Sequence, residues 1–347
     1  MNLNKILTAG LFLSLALGQL QRLPGLPVYA HDLILVLLLL NNFKRLKVYR
    51  PVVWFGLAGL ASLVLAATRL PLDQVLVGSL YLVRFLAYSL LINLKVDRRF
   101  LIFFSSAIAF LGLAQYLIVP DTRFLAGLNW DEHYYRLISP LFDPNFTGII
   151  LVLGLSLTYA YYRRTWWLYA LHLPALLLTY SRSSYLALLA GGLYLALIKK
   201  KLRWFIIGGV VLALALLALP RPGGEGVKLE RLVSARQRIS NYQLSIDFWR
   251  QSPVFGLGFD TLRYYRDNQA SHSASGLDSS LLLVLVTTGV VGLAAYVNLL
   301  KHLWQKHPLM RLSLVALLTH SLFVNSLFYP WVMVWLFCLV RIDKNKL

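Results

Sequence analysis

Residues 166–219 read WWLYALHLPALLLTYSRSSYLALLAGGLYLALIKKKLRWFIIGGVVLALALLAL, three apolar runs joined by two short polar links. Each run approaches the roughly 17–25 residues that cross about 30 Å of hydrocarbon. Working outward, similar runs recur near 3–20, 28–43, 51–68, 75–94, 100–119, 146–162, 279–300, 309–324 and 327–342. With 166–180, 184–199 and 203–219 they make about twelve candidate spans, hence an all-α, polytopic integral membrane protein with one membrane domain over 1–347. Composition agrees, because 58% of the 347 residues are hydrophobic and only 14% charged, against about 25% charged in a soluble domain. A soluble globular enzyme is excluded. The first run follows Lys5 and resembles a secretory h-region, but the runs behind it favour an uncleaved signal-anchor. The lone Cys338 lies in an apolar run, which leaves no disulfide framework, thiolate metal cluster or CxxC pair.

Lys and Arg outnumber Asp and Glu 34 to 14, a net charge of +20 that ordinarily raises nucleic acid as a partner. Counting the cations loop by loop changes that reading. If the N-terminus is cytoplasmic, the inner links at 44–50, 95–99, 163–164, 199–203 and 301–311 are all basic. Together with Lys5, Arg341, Lys344 and Lys346 they hold twenty cations against only Asp97 and Asp343. Positive residues gather on the cytoplasmic side of membranes. The charge is therefore mostly a topology signal, with both termini inside, and no nucleic-acid partner is expected.

Two outer connections are long, 120–145 and 220–278, and loops beyond about 12–15 residues are usually functional or disordered. The second opens on Pro220-Arg-Pro-Gly-Gly-Glu-Gly226 and then turns periodic, with Leu232, Ile239, Tyr242, Ile246 and Trp249 on one helical face. This predicts an amphipathic helix at the outer membrane surface, ended by Pro253 and followed by a turn at Gly256-Leu257-Gly258. Five outer arginines are candidate anion ligands: Arg136, Arg182, Arg231, Arg236 and Arg238. Guanidinium stays charged and fits phosphate oxygens bidentately, while lipid headgroups or nearby carboxylates are the plain alternative. Arg182 stands apart, because Tyr180-Ser181-Arg182-Ser183-Ser184 is a very short link that must lie close to the bundle, where a cation is costly and usually functional. Arg84, inside the fourth span, reads equally as a ligand contact or as half of a structural pair.

Four blocks give a resemblance. Ser181-Arg182-Ser183-Ser184 looks like the S-R-[GS]-x block of the O-antigen ligase and Wzy polymerase superfamily of bacterial membrane glycosyltransferases. Arg136 with Asp143-Pro144-Asn145 resembles its R…(D)PN segment, and Arg238…Tyr242 with Pro253…Gly256-Leu-Gly258 its RxxxW…PxxGxG segment, with Tyr242 in place of Trp. Asp278-Ser279-Ser280 with Gly289-Val-Val-Gly292-Leu resembles its HNSxL…GxxGL segment, with Asp278 where His is commonest. The likeness covers roughly residues 130–300. It implies a GT-C-like helical fold in the bacterial inner membrane and transfer of glycan from a polyprenyl diphosphate carrier on the outer face. It implies no metal or other cofactor; the outer loops contain no DxD pair or HExxH, and Asp131-Glu132-His133 is a crowded acidic cluster.

Such a donor carries its own leaving group. The protein must stabilise the departing diphosphate and deprotonate an acceptor hydroxyl. The diphosphate is expected to meet Arg182 and Arg238, with Arg236 as a second choice and Arg136 in support; Asn145, Ser181 and Tyr242 support the site. The candidate bases are Asp278, which also suits an N-cap of the tenth span, and His272, which equally suits a merely solvated loop. Asn145 is expected to cap the sixth span. The partners so implied are a polyprenyl-diphosphate oligosaccharide, a glycan or lipid acceptor, membrane lipids and a chain-length regulator. Ligase and polymerase stay open at this point, with slight weight to the polymerase. A flippase for lipid-linked sugars predicts more charge in the spans and two matching halves; a non-catalytic scaffold has no need of arginine-rich blocks on one aqueous side.

Overall fold

The structure is a computed structural model that describes residues 3–23, 28–230, 233–266 and 276–342. Among the described residues the chain is α-helical, with no β-strand and only the isolated bridges Arg22–Tyr29 and Asp121–Tyr134. The first five helices are α1 (Leu3–Ala16), α2 (Ala30–Asn41), α3 (Arg50–Ala66), α4 (Leu72–Ser89) and α5 (Arg98–Ile118). There follow α6 (Pro144–Tyr161), α7 (Trp166–Leu178), α8 (Arg182–Ile198) and α9 (Leu202–Ala218). The last four are α10 (Val233–Gln251), α11 (Ser280–Trp304), α12 (Pro308–Ser321) and α13 (Pro330–Leu339). Among the described residues, four segments can cross a membrane by length and composition: Leu72–Asn93, Arg98–Ile118, Pro144–Tyr161 and Ser280–Trp304. Seven shorter apolar helices accompany them, as a multi-pass membrane protein requires.

Burial divides the bundle. In α6 the side chains of Ile149, Leu151, Leu153 and Leu157 are buried, and in α13 so are Trp331, Trp335 and Phe337. By contrast α9 buries none of its side chains and leaves Trp204, Ile207, Val211 and Leu217 exposed. That surface is costly in water but not against acyl chains, which are as apolar as leucine. Arg84 resolves into a structural pair: its Nε and a terminal nitrogen donate to Asp32 at 3.1 and 2.8 Å, and Tyr88 donates to the same carboxylate at 2.6 Å.

Three local expectations are corrected. Asp143, the residue immediately before α6, is its cap: Oδ1 accepts from Asn145 N at 2.6 Å and Phe146 N at 2.9 Å, with Pro144 at the first helical position. Asn145 is left free to use its side chain elsewhere. At α11 the cap is Ser279, whose Oγ accepts from Leu282 N, so Asp278 is not spent on the helix end. The outer helix α10 forms, but it turns Ser245 and Phe248 inward and leaves Ile239 60% exposed. Its packed face is thus rotated from the apolar stripe read in the sequence.

The strongest local feature is a break in α11. Gly289 adopts φ 66°, ψ −168°, which interrupts the ladder, and the loop after α10 fills the gap. Leu257 N and Gly258 N donate to the Val286 and Thr287 carbonyls at 2.9 and 3.0 Å, while Val290 N and Val291 N donate to Pro253 O and Val254 O at 3.0 and 3.2 Å. Backbone groups freed in a membrane helix must find partners within the protein. Contact this close demands glycine on both sides: a Cβ on Gly289 would meet Val254 O at 2.1 Å, and one on Gly256 (φ 73°) would meet the Thr287 carbonyl carbon at 2.3 Å.

Candidate active site

The site is built on the link between α7 and α8. Tyr180 takes the left-handed conformation at φ 50°, a strained turn of the kind that clusters at functional sites. It lets Ser181 cap α8, its Oγ accepting from Ser184 N at 3.4 Å. Ser181 Oγ also donates to Asn145 Oδ1 at 2.9 Å, which ties the link to the start of α6. Arg136 is buried behind the link, with Nε donating to Thr179 O at 3.0 Å and a terminal nitrogen reaching Tyr180 O at 3.5 Å. These bonds brace the turn that presents Arg182.

Arg182 leans toward the loop that leads into α10, where one terminal nitrogen donates to Leu229 O at 3.1 Å. Burial, and then the neighbouring Arg238 cation, lower its pKa. Like charges held together disfavour one another unless an anion joins them. Arg238 lies over the Phe323 ring, its Cζ 5.7 Å from the centroid, at the end of α12. Arg236 is exposed on the same helix.

Beyond Arg238 on α10, Asn241 Nδ2 donates to Asp278 Oδ2 at 2.6 Å. Tyr242, one residue on, donates its hydroxyl to Leu322 O. Burial and the nearby Asp278 charge raise the phenol's pKa, while Arg238 opposes them, so Tyr242 stays protonated and lies within electrostatic reach of both charges. The half-buried Arg266 is disfavoured by burial and supported by Asp278. The structure thereby brings Arg182, Arg238, Tyr242 and Asp278 together, with Ser181, Asn145 and Arg136 beneath the first of them. His272 and Arg231 lie outside the described residues.

Three residues of this region were not singled out by the sequence: Asn241, Arg266 and His320. His320 sits in an apolar run and reads as core, yet its Nε2 is 3.1 Å from Ser183 Oγ and 3.3 Å from Ser184 Oγ, and its Nδ1 is 2.8 Å from Ser326 Oγ. A buried polar chain thus runs from Asn145 through the serines of the link to the loop after α12. The polar neighbours Thr319 and Ser321 were the only signal for it.

Chemically, the arrangement offers two neighbouring cations and, on the helix that carries Arg238, an asparagine that orients a carboxylate. No curated protein matches the chain. Residues 167–297, which hold Arg182, Arg238, Asp278 and both halves of the α11 splice, match the family model described as O-antigen ligase. The match covers less than half of the chain and agrees with the resemblance carried by the four sequence blocks.

Proposed function

We propose that this chain is an inner-membrane glycosyltransferase that moves a glycan from a polyprenyl diphosphate carrier to an acceptor hydroxyl on the outer face. The observation that supports the reading is the closeness of the Arg182 and Arg238 cations, which lowers the pKa of Arg182, together with an Asp278 carboxylate held by Asn241 of the helix that carries Arg238. In the step, the acceptor oxygen attacks the anomeric carbon and its proton passes to Asp278. The bond from that carbon to the diphosphate oxygen breaks, and the electron pair leaves with the diphosphate. Both guanidiniums meet the charge as it develops, where preorganised donors are worth most. Attack from the face opposite the leaving group inverts the anomeric centre. His272 is the rival base.

Elongation of a glycan is the reaction we favour over transfer to a lipid acceptor, because a carboxylate at Asp278 stands where the family most often has His. Twelve crossings, a GT-C-like arrangement and an outer-facing site complete the proposal. The test is reconstitution of the full chain in vesicles with the host's lipid-linked oligosaccharide. Elongated product and stoichiometric release of carrier diphosphate, both lost in Arg182→Ala, are expected. Elongation that persists in that variant would sink the assignment.

A further inference from the structure

Where α4 meets the outer half of α11, a cavity of about 180 Å³ is walled by Tyr81, Arg84, Phe259, Asp260, Asn325 and Phe328. The loop that splices α11 continues into it. Phe259 N donates to Ser62 Oγ of α3 at 3.0 Å, and Gly78 of α4 leaves room for the strap, since a Cβ there would meet Phe259 O at 2.5 Å. The next residue, Asp260, is held at φ 56°. Aspartate tolerates this left-handed conformation but does not prefer it, and such residues concentrate where function demands them.

The polar groups of the cavity are unequally matched. Arg84 already donates twice to Asp32. No hydrogen bond from a described residue reaches the Asp260 carboxylate; burial pushes its pKa up to about 7, opposed through space by Arg263 and Arg84. Asn325 Oδ1 is buried without a hydrogen-bond partner. Unsatisfied acceptors of this kind are costly. The cavity therefore offers unmatched acceptors beside the Tyr81 hydroxyl and the Asn325 amide, and flat aromatic rings line it. A fitting ligand brings several hydroxyl donors on a frame with apolar C–H faces, which describes a pyranose ring. From this pairing of acceptors and rings we infer that the cavity binds one sugar residue of the acceptor glycan, with Asp260 and Asn325 accepting from its hydroxyls. The inference rests on the transferase reading above and deepens it. Gly276 lines the same cavity and Asp278 follows two residues later, so an acceptor seated there is anchored next to the proposed base.

The probe is the carrier-free oligosaccharide released by mild acid from the host's lipid-linked glycan, titrated into the purified full chain in detergent and followed by saturation-transfer NMR. Saturable binding is expected, weakened about tenfold or more in both Asp260→Asn and Asn325→Ala. Thermal melting of each variant checks that it is folded; should Asp260→Asn fail to fold, Asn325→Ala decides alone. Absence of binding by the wild type, or equal binding by the wild type and the folded variants, overturns the inference. A chain that binds the sugar yet releases no carrier diphosphate removes the transferase reading and leaves the sugar site standing.

Discussion

Asn241 Nδ2 donates to Asp278 Oδ2 at 2.6 Å, so the side chain of an outer helix orients the carboxylate at the mouth of α11. Asp278→Asn is expected to lower transfer by about 10²–10⁴-fold, the range for loss of a general base. Asn241→Ala tests positioning. It frees the carboxylate from its oriented position, so kcat should fall while KM for the lipid-linked donor holds, and Asn241→Gln should restore part of kcat; a loss that only tracks the melting temperature would leave Asn241 with a structural role only.

Arg182 and Arg238 reach one another from different parts of the chain, and burial with like charge lowers the pKa of Arg182. Alanine at either position is expected to reduce diphosphate release by about 10²–10³-fold. Because both act on one leaving group, the double variant should lose less than the product of the single losses. Lysine at 182 keeps the charge but not the planar fork and should fall between wild type and alanine. Strictly multiplicative losses in single-turnover assays would show that the two arginines serve separate steps.

Gly289→Ala forces a methyl toward Val254 O, 2.1 Å from the ideal Cβ position, at φ 66°. A loss of about 2–4 kcal/mol is expected. Gly208 in α9 is the control, because a Cβ there meets nothing within 4 Å and alanine favours a helix by up to about 1 kcal/mol. Thermal melting in detergent should separate the two substitutions clearly, and similar melting would argue against the splice.

Asp260 gives a pH dependence of stability with a defined sign. Burial holds its pKa near 7 in the folded chain, whereas an unfolded chain releases that proton near pH 4. Between those values the folded state binds more protons, so stability falls as pH rises from about 4 to about 7 and is level above. Asp260→Asn removes the effect. Its melting temperature should therefore gain on the wild type across that window; parallel curves would show that the carboxyl is ordinary.

Helix positions were legible because apolar runs of this length admit few alternatives, and α6 to α9 fall where the runs of the sequence placed them. The arginines were legible for a related reason: Arg182 had nowhere to go but the outer end of a tight link. Which face of α10 packs was not. Its apolar stripe predicted burial of Ile239, but the helix packs through Phe248 against Leu283 and Val286 of α11, and the exposed isoleucine needs only lipid or solvent as a neighbour. Capping misled at Asn145 and Asp278 because Asp143 and Ser279 offer equally good oxygens one or two residues away. His320 was hidden by its apolar context, and the glycines of 253–258 and 289–292 showed as spaced motifs without showing that they meet.

That meeting also bears on how the protein is made. Backbone groups of Val286, Thr287, Val290 and Val291 bond to residues 253–258, which leave the ribosome earlier and belong to the preceding loop. A span carrying four unmatched amides and carbonyls is a poor passenger in lipid. The loop must accordingly dock before α11 can settle in lipid, an order of assembly that a continuous α11 would not impose.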